Sequence, residues 1–208
     1  MNKEFNVDVI VRDIKFSIKK NYKVTFLVAV FIISMIIGAA AVKTTNGELI
    51  KRIVTVYQSK RTNQSFLQTA VSGLLSALPL FLIVFFSGFY PLGAPVIVLA
   101  PVYKGLGTGL TMGYLYSQWG LKGVVYSFIL IVPTTLIYMI SMVFSCKEAL
   151  RLSGTILREL TPKARMDKMV DDVKLYLKRF FAFFIIILLS CLVDLLLTAG
   201  FARFFQFG

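Results

Sequence analysis

Residues 62–103 read TNQSFLQTAVSGLLSALPLFLIVFFSGFYPLGAPVIVLAPVY, forty-two positions without one charged side chain, closed by Lys104 and a cluster of glycines. As one straight helix, at about 1.5 Å per residue, this stretch would measure roughly 63 Å, about twice the ~30 Å hydrocarbon core of a bilayer. The chain therefore has to cross, turn and cross back. The turn lies at the midpoint, Ser87-Gly88-Phe89-Tyr90-Pro91-Leu92-Gly93-Ala94-Pro95. Pro91 and Pro95 remove amide donors there, Gly88 and Gly93 permit sharp bends, and Tyr90 supplies an interfacial aromatic ring. A membrane helical hairpin follows, with arms near 66–86 and 96–117.

The whole chain fits that start. Its 208 residues are 57% hydrophobic and 16% charged, contain no histidine, and have a mean hydropathy of +0.78, where a soluble domain carries about 25% charged residues. The class is an all-α integral membrane bundle forming a single domain. A net charge of +13 invites a nucleic-acid partner. The basic residues, however, stand in blocks beside apolar spans, where they meet anionic headgroups and set orientation, so membrane lipid is the partner and nucleic acid is not. Cys146 and Cys191 both fall in or beside apolar spans, which supports neither a disulfide nor a metal site.

Working toward the N-terminus, residues 24–42 form an apolar run between Lys23 and Lys43, long enough for one crossing. A cleaved signal peptide is the competing reading, disfavoured by the long charged region before it. In that region Val7, Ile10, Val11, Ile14 and Ile18 recur at helical spacing opposite lysines and an arginine, which fits either a short amphipathic helix or a solvated basic leader. In residues 43–61, Thr45-Asn46-Gly47-Glu48 has capping-box spacing ahead of Leu49, Ile50, Ile53, Val54 and Tyr57. A surface helix is expected, its stripe resting on lipid or receiving a partner through Leu49, Ile53 and Tyr57.

Toward the C-terminus, residues 118–122 link the hairpin to a second charge-free run, 123–146, in which Pro133 predicts a tolerated kink. Residues 147–179 then hold nine basic and five acidic side chains and make the main aqueous segment, with Thr161-Pro162 as a helix start. The last span, 180–202, contains Asp194. Five crossings result. Basic blocks at 1–23 and 147–179 place both in the cytoplasm, with residues 203–208 outside and residues 43–61, which carry five basic side chains, also outside.

Lys104 and Asp194 are the only ionisable residues well inside apolar spans, where facing lipid would cost each at least about 2.5–3.5 kcal/mol. An ion pair joining the third and fifth spans is the structural reading; a proton or ion pathway is the functional one. Gly105, Gly109 and Gly113 occupy one helix face at i, i+4 spacing, a pattern of close helix packing and not a phosphate loop, since no Lys-Ser/Thr pair or soluble strand accompanies it. No histidine, acid pair or nucleophile with a base points to catalysis, so no enzyme, cofactor or metal is expected.

At these residues the chain resembles the stage II sporulation protein M family. The resemblance is carried by Phe85 through Pro95, then Tyr103-Lys104-Gly105 with Gly109, then Gly120-Leu121-Lys122-Gly123 and Pro133, and covers roughly residues 64–146. It implies a polytopic scaffold at the septal and engulfing membrane of an endospore-forming bacterium. Such a scaffold gathers a peptidoglycan-cleaving pair, the stage II sporulation proteins D and P, as its partners. Where non-sporulation relatives carry Pro-His-Gly and a following Glu, this chain has Pro133-Thr134-Thr135 and no acid, which points to the sporulation branch. A small transporter or permease of the wider family is the alternative. The few polar residues inside the spans beyond Ser, Thr and Gln68 lean toward the scaffold, and the sequence leaves a second copy of the chain open as a partner.

Overall fold

The computed structural model describes residues 22–44, 66–159 and 166–201, and among these every element is helical. They are α1 (Tyr22–Thr44), α2 (Phe66–Ser87), α3 (Ala94–Tyr126), a one-turn π-helix (Ser127–Ile131), α4 (Val132–Glu159) and α5 (Met166–Phe201). The N-terminal leader, the stripe of Leu49, Ile53 and Tyr57, and Thr161-Pro162 lie outside the described residues.

Among the described residues, three helical segments are long and apolar enough to cross a membrane: Tyr22–Val42, Ala94–Arg158 and Met169–Thr198. The described side chains of α2 add a shorter apolar stretch, Ala77–Ser87. The count is three where five are expected chiefly because α3, the π turn and α4 follow one another as a single 65-residue stretch, Ala94–Arg158, which a kink at Gly120 divides. That run is not straight. Gly120 adopts φ 52° and ψ −125° in its middle, a conformation open to glycine and strained for other residues, and the chain doubles back there. Met112 and Leu115 of α3 share a core with Tyr126 and Leu130, while Cys146 Sγ lies 3.5 Å from the Ile97 carbonyl. Partner numbers on α4 thus fall as those on α3 rise, the mark of antiparallel arms. The expected link at 118–122 is present as a break at one non-helical residue, Gly120, with helix on either side.

Pro133 does not produce a simple kink either. It follows directly on the π turn, whose wider ring lets the Val132 amide reach back five residues to the Ser127 carbonyl. Thr134 Oγ donates to the Leu130 and Ile131 carbonyls, so the irregular backbone is served by local side chains, as the absence of water in hydrocarbon requires.

Residues 147–159 and 166–179 continue α4 and α5 as helix beyond the apolar runs. The main core joins α2, α3, α4, α5 and the start of α1 around Leu27, Phe81, Val84, Ile97, Met142, Cys146 and Ile187. Large apolar side chains cover the outside, among them Ile33, Ile36 and Ile37 on α1 and Phe181, Leu189 and Leu196 on α5. An outer coat of this kind suits lipid as solvent.

Candidate functional site

Three constellations concentrate the residues singled out above. In the first, α1 and α3 lie backbone to backbone. A Cβ on Gly105 would stand 2.7 Å from the Phe31 carbonyl oxygen, one on Gly109 would meet the Met35 carbonyl, and one on Gly113 would stand 2.7 Å from the Ala39 carbonyl oxygen. From the other side, a Cβ on Gly38 would be 2.5 Å from the Leu106 carbonyl oxygen. Contacts on both helices advance together, so α1 and α3 run parallel, and the small-residue face finds its partner within this chain. Such proximity gives dispersion contact along the seam, which is what holds helices together where lipid removes the hydrophobic drive.

In the second, the turn between α2 and α3 is clamped by α4 and α5. Ser153 Oγ donates to the Tyr90 carbonyl at 2.8 Å and lies 3.3 Å from that of Pro91, and the Tyr176 hydroxyl donates to the Phe85 carbonyl at 2.9 Å. Gly88 leaves room for the Tyr176 hydroxyl, and Gly93, the N-cap of α3, leaves room for the Ser87 carbonyl; a Cβ at either would collide with these groups. Pro95 stands in the first turn of α3, where its missing amide hydrogen costs nothing. The Tyr176 ring stacks on Phe85 with centroids 5.7 Å apart and is tilted on Phe180 at 4.7 Å.

Beside this clamp lies an ion-pair network that the sequence reading missed. Glu148, whose side chain is 13% exposed, binds Arg179 at 2.7 Å and stands 3.8 Å from Arg151, which in turn pairs with Asp172 at 3.0 Å. Glu148, Arg151 and Asp172, with Thr155 and Tyr176, line a shallow depression between α4 and α5. A signal was available: Glu148, Arg151 and Thr155 share one face at i, i+3 and i+7, and Asp172, Tyr176 and Arg179 share one face of α5 at i, i+4 and i+7. Reading residues 147–179 as an aqueous segment, not as two facing helices, concealed it.

The third constellation is inside the bundle. Lys104 Nζ sits 4.6 Å from the centroid of the Tyr138 ring, and the Tyr138 hydroxyl donates to the Ala77 carbonyl at 3.3 Å. Lys104 and Asp194 are both half-buried, and Cys191, one turn before Asp194, packs against the same core as Tyr138. Further along the α4–α5 seam, Ser141 Oγ donates to the Phe183 carbonyl at 2.9 Å and Ser190 Oγ to that of Thr134 at 3.0 Å. No group of three or more metal-ligating side chains occurs among the described residues.

An interior filled by helix packing, backbone-directed hydroxyls and a few charges, inside an apolar coat, defines a helical membrane protein. Comparison with known families matches Stage II sporulation protein M over residues 27–202, most of the chain and well beyond the stretch that carries the sequence motifs. The chain belongs to that family. No curated protein and no solved structure matches it.

Proposed function

We propose that this protein is a non-catalytic membrane scaffold which gathers the peptidoglycan-cleaving stage II sporulation proteins D and P at the septal and engulfing membrane during endospore formation. Family membership over residues 27–202 is the observation that carries the reading. The described side chains support it by their use: glycines, hydroxyls and ion pairs are engaged in holding helices to one another. A protein built this way offers others position and packing surface.

The scaffold crosses the bilayer five times with its N-terminus in the cytoplasm. Two features support that topology. The turn at residues 88–93 packs on Ser153 and Tyr176, at the same end of the bundle as the basic extensions of α4 and α5. Gly120, at the opposite end, divides the 65-residue run into two arms. Labelling of single cysteines at positions 3, 55, 120, 165 and 207 in a cysteine-free background tests it, and modification of 3 or 165 from outside the cell refutes the orientation.

For the function itself, deleting the protein should disperse the hydrolases from the septum and stall engulfment while leaving their purified activity unchanged. Hydrolases that still concentrate at the septum in the deletion strain would overturn the scaffold and favour a transporter, whose uptake would then depend on Asp194.

A further inference from the structure

α3 and α5 barely pack on one another: α3 lies chiefly against α1 and α4, and α5 against α4 and α2. Each nevertheless carries one charged residue inside its apolar span, Lys104 on α3 and Asp194 on α5. Lys104 leaves α3 one residue before Gly105, which faces Phe31 and Ser34 midway along α1, so its ammonium belongs to the middle of the bundle. Its side chain runs over α4, where the Nζ rests 4.6 Å from the Tyr138 ring centroid. That ring is nearly buried and is pinned to α2 through its hydroxyl on the Ala77 carbonyl, so it forms a fixed saddle. One turn along α4 from that ring, the Thr134 carbonyl accepts from Ser190 Oγ of α5 at 3.0 Å; Cys191 packs on the same core as Tyr138, and Asp194 follows it by one turn of α5.

Hydrocarbon gives an ammonium and a carboxylate few ways to be satisfied, and the face of an aromatic ring is one surface over which a cation can pass at low cost. We propose that Lys104 and Asp194 form a strap by which α3 holds the terminal helix α5 across α4, with Tyr138 as its saddle. The strap fixes the rotation and depth of the inner part of α5, where Ser190 and Ser141 each supply a single hydrogen bond between α5 and α4, away from the ion pairs Arg179–Glu148 and Arg151–Asp172.

The test is a double-mutant cycle on the full-length protein in membranes. Lys104→Met, Asp194→Leu and the double variant are scored by the yield of monodisperse protein after mild detergent extraction and a fixed heat step. Each single substitution leaves one charge without its partner and should lower the yield at least fivefold, whereas the double variant removes both. The expected result is a double-variant yield at least fivefold above the product of the two fractional single yields. A smaller excess, or single variants that behave like wild type, overturns the strap. Should both singles be undetectable, a detectable double variant supports it and an undetectable one overturns it.

Discussion

Gly109 and Gly107 sit two residues apart on α3, yet an added methyl group should act on them in opposite directions. At Gly109 a Cβ would meet the carbonyl oxygen of Met35, with the Met35 carbonyl carbon at 2.8 Å and the Ala39 amide nitrogen at 3.0 Å, all backbone atoms that can move only if α1 moves. At Gly107 nothing lies within 4 Å. Alanine in place of either glycine gains about 0.5–1 kcal/mol of helix propensity. Only Gly109→Ala adds the cost of overpacking, about 1–3 kcal/mol. The propensity gain cancels when the two variants are compared, leaving a difference of about 1–3 kcal/mol, or roughly 5- to 150-fold in the ratio of folded to unfolded protein. Unfolding of the purified protein by titration of a denaturing detergent into mild micelles, followed by circular dichroism, measures that difference. Gly107→Ala should match or exceed wild type, and Gly109→Ala should unfold at clearly lower denaturant. Equal midpoints for the two variants would mean that α1 does not approach α3 at Gly109, and the parallel seam would be wrong.

Glu148→Gln should lower stability by about 1–2 kcal/mol, because it weakens the bond to Arg179 at a nearly buried position. The loss should exceed that from Asp172→Asn, whose partner Arg151 is 48% exposed and whose pairing salt should screen; the same detergent titration at low and high ionic strength separates them. Ser153→Ala removes a hydroxyl that holds the turn at Tyr90, and should cost about 1 kcal/mol while speeding hydrogen exchange of the amides at residues 88–93. Gly120→Ala has open space around it but a backbone at φ 52°, so it should cost about 1–3 kcal/mol. Gly154→Ala, in equally open space on α4, should match or exceed wild type in the same detergent titration, as Gly107→Ala does.

Much of the central hairpin was legible because its signals are local. Two prolines and two glycines in nine residues specify a turn whatever surrounds them, and the observed turn falls at residues 88–93. The glycine face was legible as a face, but not its partner: Ser34, Gly38 and Val42 carry the same four-residue spacing on α1, and nothing local says that two such faces meet. The link at 118–122 was legible from Gly120 and the charge at Lys122, but not its brevity: the backbone needs only one positive-φ residue, Gly120, to reverse. The clasp of Glu148 and Arg179 was hidden for a related reason. Thirty-one positions separate the two residues, and their pairing depends on the antiparallel register of α4 and α5, which no short pattern encodes.

The parallel seam also sets a timetable for synthesis. Ser34 and Gly38 emerge from the ribosome about seventy residues before the face of α3 that will cover them. At roughly 5–20 residues per second, α1 waits some 4–14 s with its narrow side turned to lipid. It can wait because it is already complete in hydrogen bonding: the Ser34 hydroxyl donates to the Val30 carbonyl of its own helix at 2.7 Å, and Thr108 on the arriving helix does the same to Lys104 at 3.0 Å. Both of these seam hydroxyls are thus engaged within their own helices before the two meet. Close backbone fit at Gly38, Gly105, Gly109 and Gly113 then brings the two together, so a nascent chain can release and retry the contact until α3 arrives in register.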